Sequence, residues 1–253
     1  MVSATRVHRS GIALLAVAAA LAMGIAACSK SSDSGWALLL APRHQAAPAP
    51  APDSPQSLLR LFEWCYDNRS IERYREPFTE DFGFVFSSLD PAGNAYRGSP
   101  WTREDELTYF SNLIQSATSI TLVLDRNLIV LDDPRPGKGG RWHKKVRTSV
   151  TLSILAGGGQ TTVTGFATFF AVRGDSASIP SDLIARGFQP DSTRWYIERW
   201  EDETSGLGSA YRATSTTRAG GAGTHRGQVA GAQPSKSTTW GTLKVLYHSE
   251  PAK

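Results

Sequence analysis

Apolar residues recur at helical spacing from Leu58 onward, at Leu58, Phe62, Cys65 and Tyr66. Ser54 is a suitable cap, and proline is tolerated at the first helical position, so a helix opens at Pro55. Asp67–Arg69 break the pattern. Ser70 can cap a second, short helix that shows Ile71, Tyr74 and Phe78 on one face. Phe82, Phe84 and Phe86 then alternate, which predicts a brief strand over Asp81–Phe86, and Asp90–Asn94 is a turn cluster. Thr102–Asp105 fits a capping pattern, after which Leu107, Phe110, Leu113 and Ile114 share a helix face. Past that point the period becomes two. Ile120, Leu122 and Leu124 alternate with polar neighbours, as do Val146, Thr148, Val150, Leu152 and Ile154. Gly157–Gly159 makes a turn, Thr161–Arg173 returns as a strand, and Thr193–Asp202 forms another. Three helices with one short strand among them precede four longer strands. That order predicts an α+β fold, an antiparallel sheet with helices on one face.

The flanks carry other patterns. Residues 1–11 hold Arg6, His8 and Arg9 and no acid, and Ile12–Ala27 runs apolar without a charge. Basic, then apolar, then small is the order of a secretory signal. The apolar run is shorter than the ~20 residues that span a bilayer as a helix. It ends Ile25-Ala26-Ala27-Cys28, which resembles the lipobox of bacterial lipoproteins. The resemblance implies that Cys28 is acylated, palmitate among its chains, and becomes the mature amino terminus. Burial of acyl chains then holds the protein at a membrane of the cell envelope, its domain outside the cytoplasm. Ser29 after the cysteine is not an acid, which by resemblance to sorting rules permits the outer membrane where the cell has one.

The chain therefore divides into a signal peptide (1–27), a Pro/Ala-rich tether (28–54), a domain (55–204), a low-complexity linker (205–237) and an apolar segment (238–248). The Ala-Pro alternation of Ala47–Pro52 favours extended polyproline-II backbone and no core. The linker, rich in Gly, Ala, Ser and Thr, buries too little apolar surface to order itself. Trp240, Leu243, Val245 and Leu246 are costly to leave wet, so the last segment should dock on the domain.

Charge and cysteine content narrow the function classes. The net charge of +4 over 253 residues falls to +2 once residues 1–27, with Arg6 and Arg9 and no acid, are removed. That excess lacks the dense basic stripe of nucleic-acid binders, so no nucleic-acid partner is expected. Arg135, Lys138, Arg141, His143, Lys144, Lys145 and Arg147 form the densest basic run, read either as a solvated hairpin or as a surface for anionic headgroups. With Cys28 assigned to lipid, Cys65 is alone and no internal disulfide is expected; in its apolar helix it reads as a small hydrophobe.

The succession of elements resembles the nuclear transport factor 2-like, or SnoaL-like, superfamily. Leu58–Phe62 with Tyr66–Ile71 looks like its first helix and turn, Phe78-Thr79-Glu80-Asp81-Phe82 like its step into the first strand, and Trp195–Asp202 like its closing strand. The resemblance covers Pro55 to about Thr204. It implies a cystatin-like cone: a strongly bent antiparallel sheet with three helices packed on its concave face and a pocket between them. It implies no particular reaction, because functions are grafted on folds.

The chemistry of known branches transfers poorly. An isomerase needs an oxyanion-hole tyrosine, whose place falls at Phe62, and phenylalanine donates no hydrogen bond. Asp90 could be a base but is also a plain turn opener. A dehydratase would use His143, which sits among cations suited to a solvated strand end. The five histidines show no metal-ligand spacing, and no metal or cofactor is called for. Glu106, near the apolar face of the third helix, is the acid most suited to acid–base work; alternatively it caps its helix or pairs with an arginine. Phe62, Tyr66, Trp101, Glu106, Trp195 and Trp200 are the pocket candidates. Strict alternation puts Trp195 and Trp200 on opposite faces of one strand. The favoured function is a membrane-anchored binding protein, non-catalytic, taking a small apolar ligand or a protein partner in the cone. The alternatives are a hydrolase or dehydratase using a pocket carboxylate, and a structural envelope homodimer formed through the sheet.

Overall fold

A computed structural model of the protein describes residues 47–205 and 235–249. The signal peptide, Cys28, the first part of the tether and most of the linker lie outside the described residues. Among the described residues no helix is long and apolar enough to cross a membrane.

Helix α1 (Pro55–Asp67) starts with a capping box: the Ser54 side chain accepts from the Ser57 amide, and the Ser57 hydroxyl serves the Ser54 amide. Its buried face carries Leu58, Leu59, Leu61, Phe62, Cys65 and Tyr66. Ser70 accepts from the Arg73 amide to cap α2 (Ile71–Tyr74). Strand β1 (Phe78–Val85) begins earlier than the phenylalanine alternation suggested, because it pairs parallel with the last long strand. Asp90 caps a 3-10 turn at Pro91–Tyr96, and Thr102 with Asp105 forms the capping box of α3 (Arg103–Ser116).

The sheet follows: β2 (Ala117–Leu124), β3 (Ile129–Asp132), β4 (His143–Ala156), β5 (Gly159–Arg173) and β6 (Trp195–Ser205), with the short α4 (Ser181–Ala185) between the last two. The strand order is β1-β6-β5-β4-β2, antiparallel from β6 to β2, with β3 on β4. Four elements escaped the periodicity: β3, α4, the strand β7 (Ser235–Thr238), which pairs parallel with β5, and the helix α5 (Trp240–Ser249). These segments are too short, or too mixed in polarity, to announce a period. These elements build a curved, unclosed sheet with α1, α3 and α5 covering its inner face, the bent-sheet α+β architecture that the sequence predicts.

Two local irregularities shape that face. Gly165 sits in β5 with φ of +142°, and an added Cβ would lie 2.7 Å from the Thr204 Cα on β6. Only glycine accepts both the conformation and the approach. In β6 the register with β5 shifts between Phe170 and Ala171, leaving Glu198 as an extra residue. That bulge reverses the alternation partway along the strand. Trp195 and Ile197 before it, and Trp200 after it, all join one core cluster. The expectation that Trp195 and Trp200 face opposite ways is thereby corrected.

The tether expectation also changes where the structure describes it. Pro52 is buried, Ala49 packs on the core, Trp64 Nε1 donates to the Ala47 carbonyl at 2.7 Å, and the Trp195 amide donates to the Pro52 carbonyl at 2.8 Å. These residues have no regular secondary structure, yet they lie along the domain rather than apart from it.

Candidate functional site

The first turn of α5 is fastened by two carboxylates. Asp202 on β6 accepts from the Thr204 amide (2.9 Å) and hydroxyl (2.6 Å) through one oxygen, and from the Gly241 amide (3.0 Å) through the other. The Thr204 hydroxyl oxygen accepts from the Trp240 amide at 2.8 Å. Asp90 takes the hydroxyls of Thr239 and Thr242 while capping its own turn through the Ala92 amide. Burial pushes the Asp202 carboxyl up to about 6, against the pull of its hydrogen bonds from Thr204 and Gly241. Asp90 is therefore the turn opener, and its oxygens are also engaged by α5.

So anchored, α5 delivers Lys244 to the interior of the cone. Lys244 and Glu106 are both 0% exposed and form an ion pair. Tyr74 donates to Glu106 Oε1 at 2.6 Å, and Trp101 Nε1 donates to Oε2 at 3.0 Å. The carboxylate is thus held by an ammonium, a phenol and an indole. The Tyr74 proton is committed there, so Tyr66, 3.2 Å away, is the donor in their contact; Tyr66 also lies 3.4 Å from the Tyr109 hydroxyl. Burial above all pushes these three phenols far above their ordinary range, which keeps them neutral. Burial also pulls the Lys244 ammonium down to about 8, opposed by the charges of Glu106 and Asp202.

Rings close the remaining sides. Lys244 Nζ lies 4.1 Å from the Trp200 ring centroid, 4.4 Å from Phe84, 4.5 Å from Tyr109 and 5.7 Å from Trp101. A desolvated cation is attracted to each such face. Farther along α5, His248 Nε2 lies 3.0 Å from Asp105 Oδ1, and Asn112 donates to the Tyr247 carbonyl at 2.8 Å.

Of the pocket candidates, Tyr66, Trp101, Glu106 and Trp200 meet around this pair. Phe62 supports it, with its ring 5.2 Å from Tyr66 and 5.3 Å from Trp200. Trp195 belongs to the same core cluster but not to the cage, five residues before Trp200 on β6. Glu106 neither caps its helix nor meets an arginine; its partner is a lysine 138 residues later. His143 is outside the cone, 3.9 Å from Glu198 near the start of β4. Cys65 is a free buried thiol pushed up by burial, an inert group. Among the described residues no cluster of three or more His, Cys, Asp or Glu could hold a metal.

Sequence reasoning missed Lys244, Tyr74 and Tyr109. The signal for Lys244 was present: one charge inside the apolar run Thr238–His248, four residues after Trp240 and three before Tyr247, hence on the same helix face.

The basic run looks different in three dimensions. Arg135 is paired with Asp133, Lys138 with Glu198, Lys144 with Asp132 and Arg147 with Glu203. Glu198 and Glu203 are on β6, Asp132 ends β3 and Asp133 follows it, so the run is largely neutralised.

No family model matches the chain, and no curated protein matches it. Solved structures do. A proposed aromatic ring hydroxylase from Novosphingobium aromaticivorans is 19% identical, with a TM-score of 0.41, over 58% of this chain and 82% of its own. A proposed scytalone dehydratase from the same organism is 12% identical, with a TM-score of 0.41, over 59% and 80%. A hexachlorocyclohexane dehydrochlorinase (LinA type 2) is 11% identical, with a TM-score of 0.40, over 58% and 79%. At such identities and TM-scores these are likenesses of outline, and no activity is carried over from them.

Proposed function

We infer that the protein is an exported lipoprotein, held at a membrane by acyl chains on Cys28, whose cone is a binding module and not an open catalytic site. The observation that carries the non-catalytic half is the state of Glu106. A general acid or base must reach a substrate atom. Glu106 is wholly buried and its oxygens are taken by Tyr74, Trp101 and Lys244. The other interior carboxylate, Asp202, is spent on the start of α5. Filling the cone with α5 makes that helix the element that a small apolar ligand or a protein partner has to meet or displace. The envelope-dimer alternative calls for a broad, continuous apolar sheet face; the outer face does expose Val123, Ile129, Leu131 and Phe166, but Lys145, Arg147, Arg199, Glu201 and Glu203 stand among them in adjacent rows.

Two measurements test this reading. Cys28→Ser should move the protein from the membrane fraction to the soluble fraction; unchanged sedimentation would refute the lipid anchor. Native mass spectrometry of the purified protein should reveal a co-purifying small molecule or partner. Turnover of an ester, hydroxylated or halogenated ring substrate that Glu106→Gln abolishes would refute the non-catalytic reading.

A further inference from the structure

The lysine inside the cone and the box around it come from different parts of the chain. Phe84 is on β1, Trp101 precedes α3, Glu106 and Tyr109 are on α3, and Trp200 is on β6, all within the cone. Lys244 comes from the last helix, after residues 206–234. The box thus belongs to the domain and the amine to an added segment.

An ion pair alone does not call for such a box. Lys138 and Lys144 are held by carboxylates with no ring over them, and Lys145 has one ring, Phe170, at 5.9 Å. Lys244 has four, together with a carboxylate that is itself oriented by a phenol and an indole. Several aromatic faces around a counter-charge, all excluded from water, form a general receptor for an organic cation. Each donor to Glu106 other than the ammonium is fixed by the cone, so the carboxylate is presented ready to accept one N–H more.

We propose that Glu106, Phe84, Trp101, Tyr109 and Trp200 form a binding site for a small primary alkylammonium ion, occupied in this state by the chain's own Lys244. The site rests on the binding-module reading and gives it a cationic small ligand in place of an apolar one. A primary ammonium suits it better than a quaternary one, because Glu106 accepts an N–H that a quaternary nitrogen lacks. Ligand and Lys244 exclude each other, so a cation entering the box displaces the Lys244 ammonium from it.

Lys244→Ala removes three methylenes and the ammonium, a space the size of propylammonium. The expected result is that propylammonium raises the thermal midpoint of Lys244→Ala by about 3–5 °C at a concentration ~10-fold above Kd. The neutral isostere 1-propanol should leave it unmoved, as should propylammonium with wild type or with Lys244→Met, whose side chain fills the box. Gly241→Ala covers the case in which Lys244→Ala does not fold. Its Cβ would lie 2.5 Å from Asp90 Oδ2 and 2.7 Å from Phe86 Cδ1, loosening the start of α5 while all five box residues keep their identity. Propylammonium binding to Gly241→Ala, read by saturation-transfer NMR, should again exceed that of 1-propanol. Equal responses to amine and alcohol would overturn the ammonium site and leave the binding module standing. Absence of binding by either probe to any folded variant would likewise overturn the ammonium site, whereas the binding-module reading falls only if native mass spectrometry of the wild-type protein finds neither a co-purifying small molecule nor a partner.

Discussion

The two faces of the sheet use ion pairs in opposite ways. On the inner face, Glu106 and Lys244 are both 0% exposed, with every other contact made by rings and neutral donors. On the outer face, Arg147 and Glu203 are 47% and 37% exposed, with Arg147 also lying 4.0 Å over the Phe166 ring. Both are cation–carboxylate pairs between elements distant in sequence. The outer charges keep most of their water and lose little if separated. The inner charges have given up their water, so each depends on the other remaining. Burial, more than the number of contacts, decides what a pair contributes.

The largest test of that contrast is removal of one inner partner. Lys244→Ala should lower unfolding free energy by about 3–5 kcal/mol, because Glu106 is left as an uncompensated buried charge. The double variant Glu106→Leu, Lys244→Met should recover most of that loss, since a well-packed apolar pair avoids desolvation altogether. A double variant no better than Lys244→Ala would show that the loss came from packing and not from charge. Denaturant titration of the three chains reads all of this.

The next effect is a pH dependence of opposite sign on the two faces. Asp202 is raised by burial to about 6, so between ~4 and ~6 the folded protein binds a proton that the unfolded chain releases. Its contribution is fully present below the unfolded value and is lost as pH rises through that window, by about 3 kcal/mol. Glu203 is lowered, first by its hydrogen bond with Arg147, so its contribution is present above the ordinary carboxylate range and is lost on acidification. Asp202→Asn should remove the decline of stability between pH 4 and 6 seen in urea midpoints. A slope that Asp202→Asn leaves unchanged would assign it to other groups. The smallest effect is expected on the outer face: Arg147→Ala should cost at most ~1 kcal/mol, and less in high salt.

Much of this architecture is written in local signals. The caps at Ser54, Ser70 and Thr102, the helical spacing of Phe62 and Tyr66, and the alternation along β4 and β5 each dictate an element from a few neighbouring residues. The fold class follows from their order. The site was half legible for the same reason. Trp101, Glu106 and Trp200 stand out as aromatic or acidic residues on apolar faces, but what they face depends on a helix that arrives from the other end of the chain. Neither a 138-residue separation nor a partner's identity leaves a periodic trace. The neutralising of the basic run by Glu198 and Glu203 was hidden in the same way, since cross-strand partners are set by register.

Register also gives the bulge at Glu198 a lasting significance. Along an uninterrupted strand, inside and outside are fixed by odd and even count, and the extra residue exchanges those roles midway through β6. Side chains on one side of it can be swapped freely for others of like size, whereas loss of a single amino acid there would send Trp195 and Ile197 into solvent or turn the caging indole of Trp200 outward. Length at this point is therefore under stricter physical control than composition, and chains of this build should tolerate replacement in β6 far better than shortening.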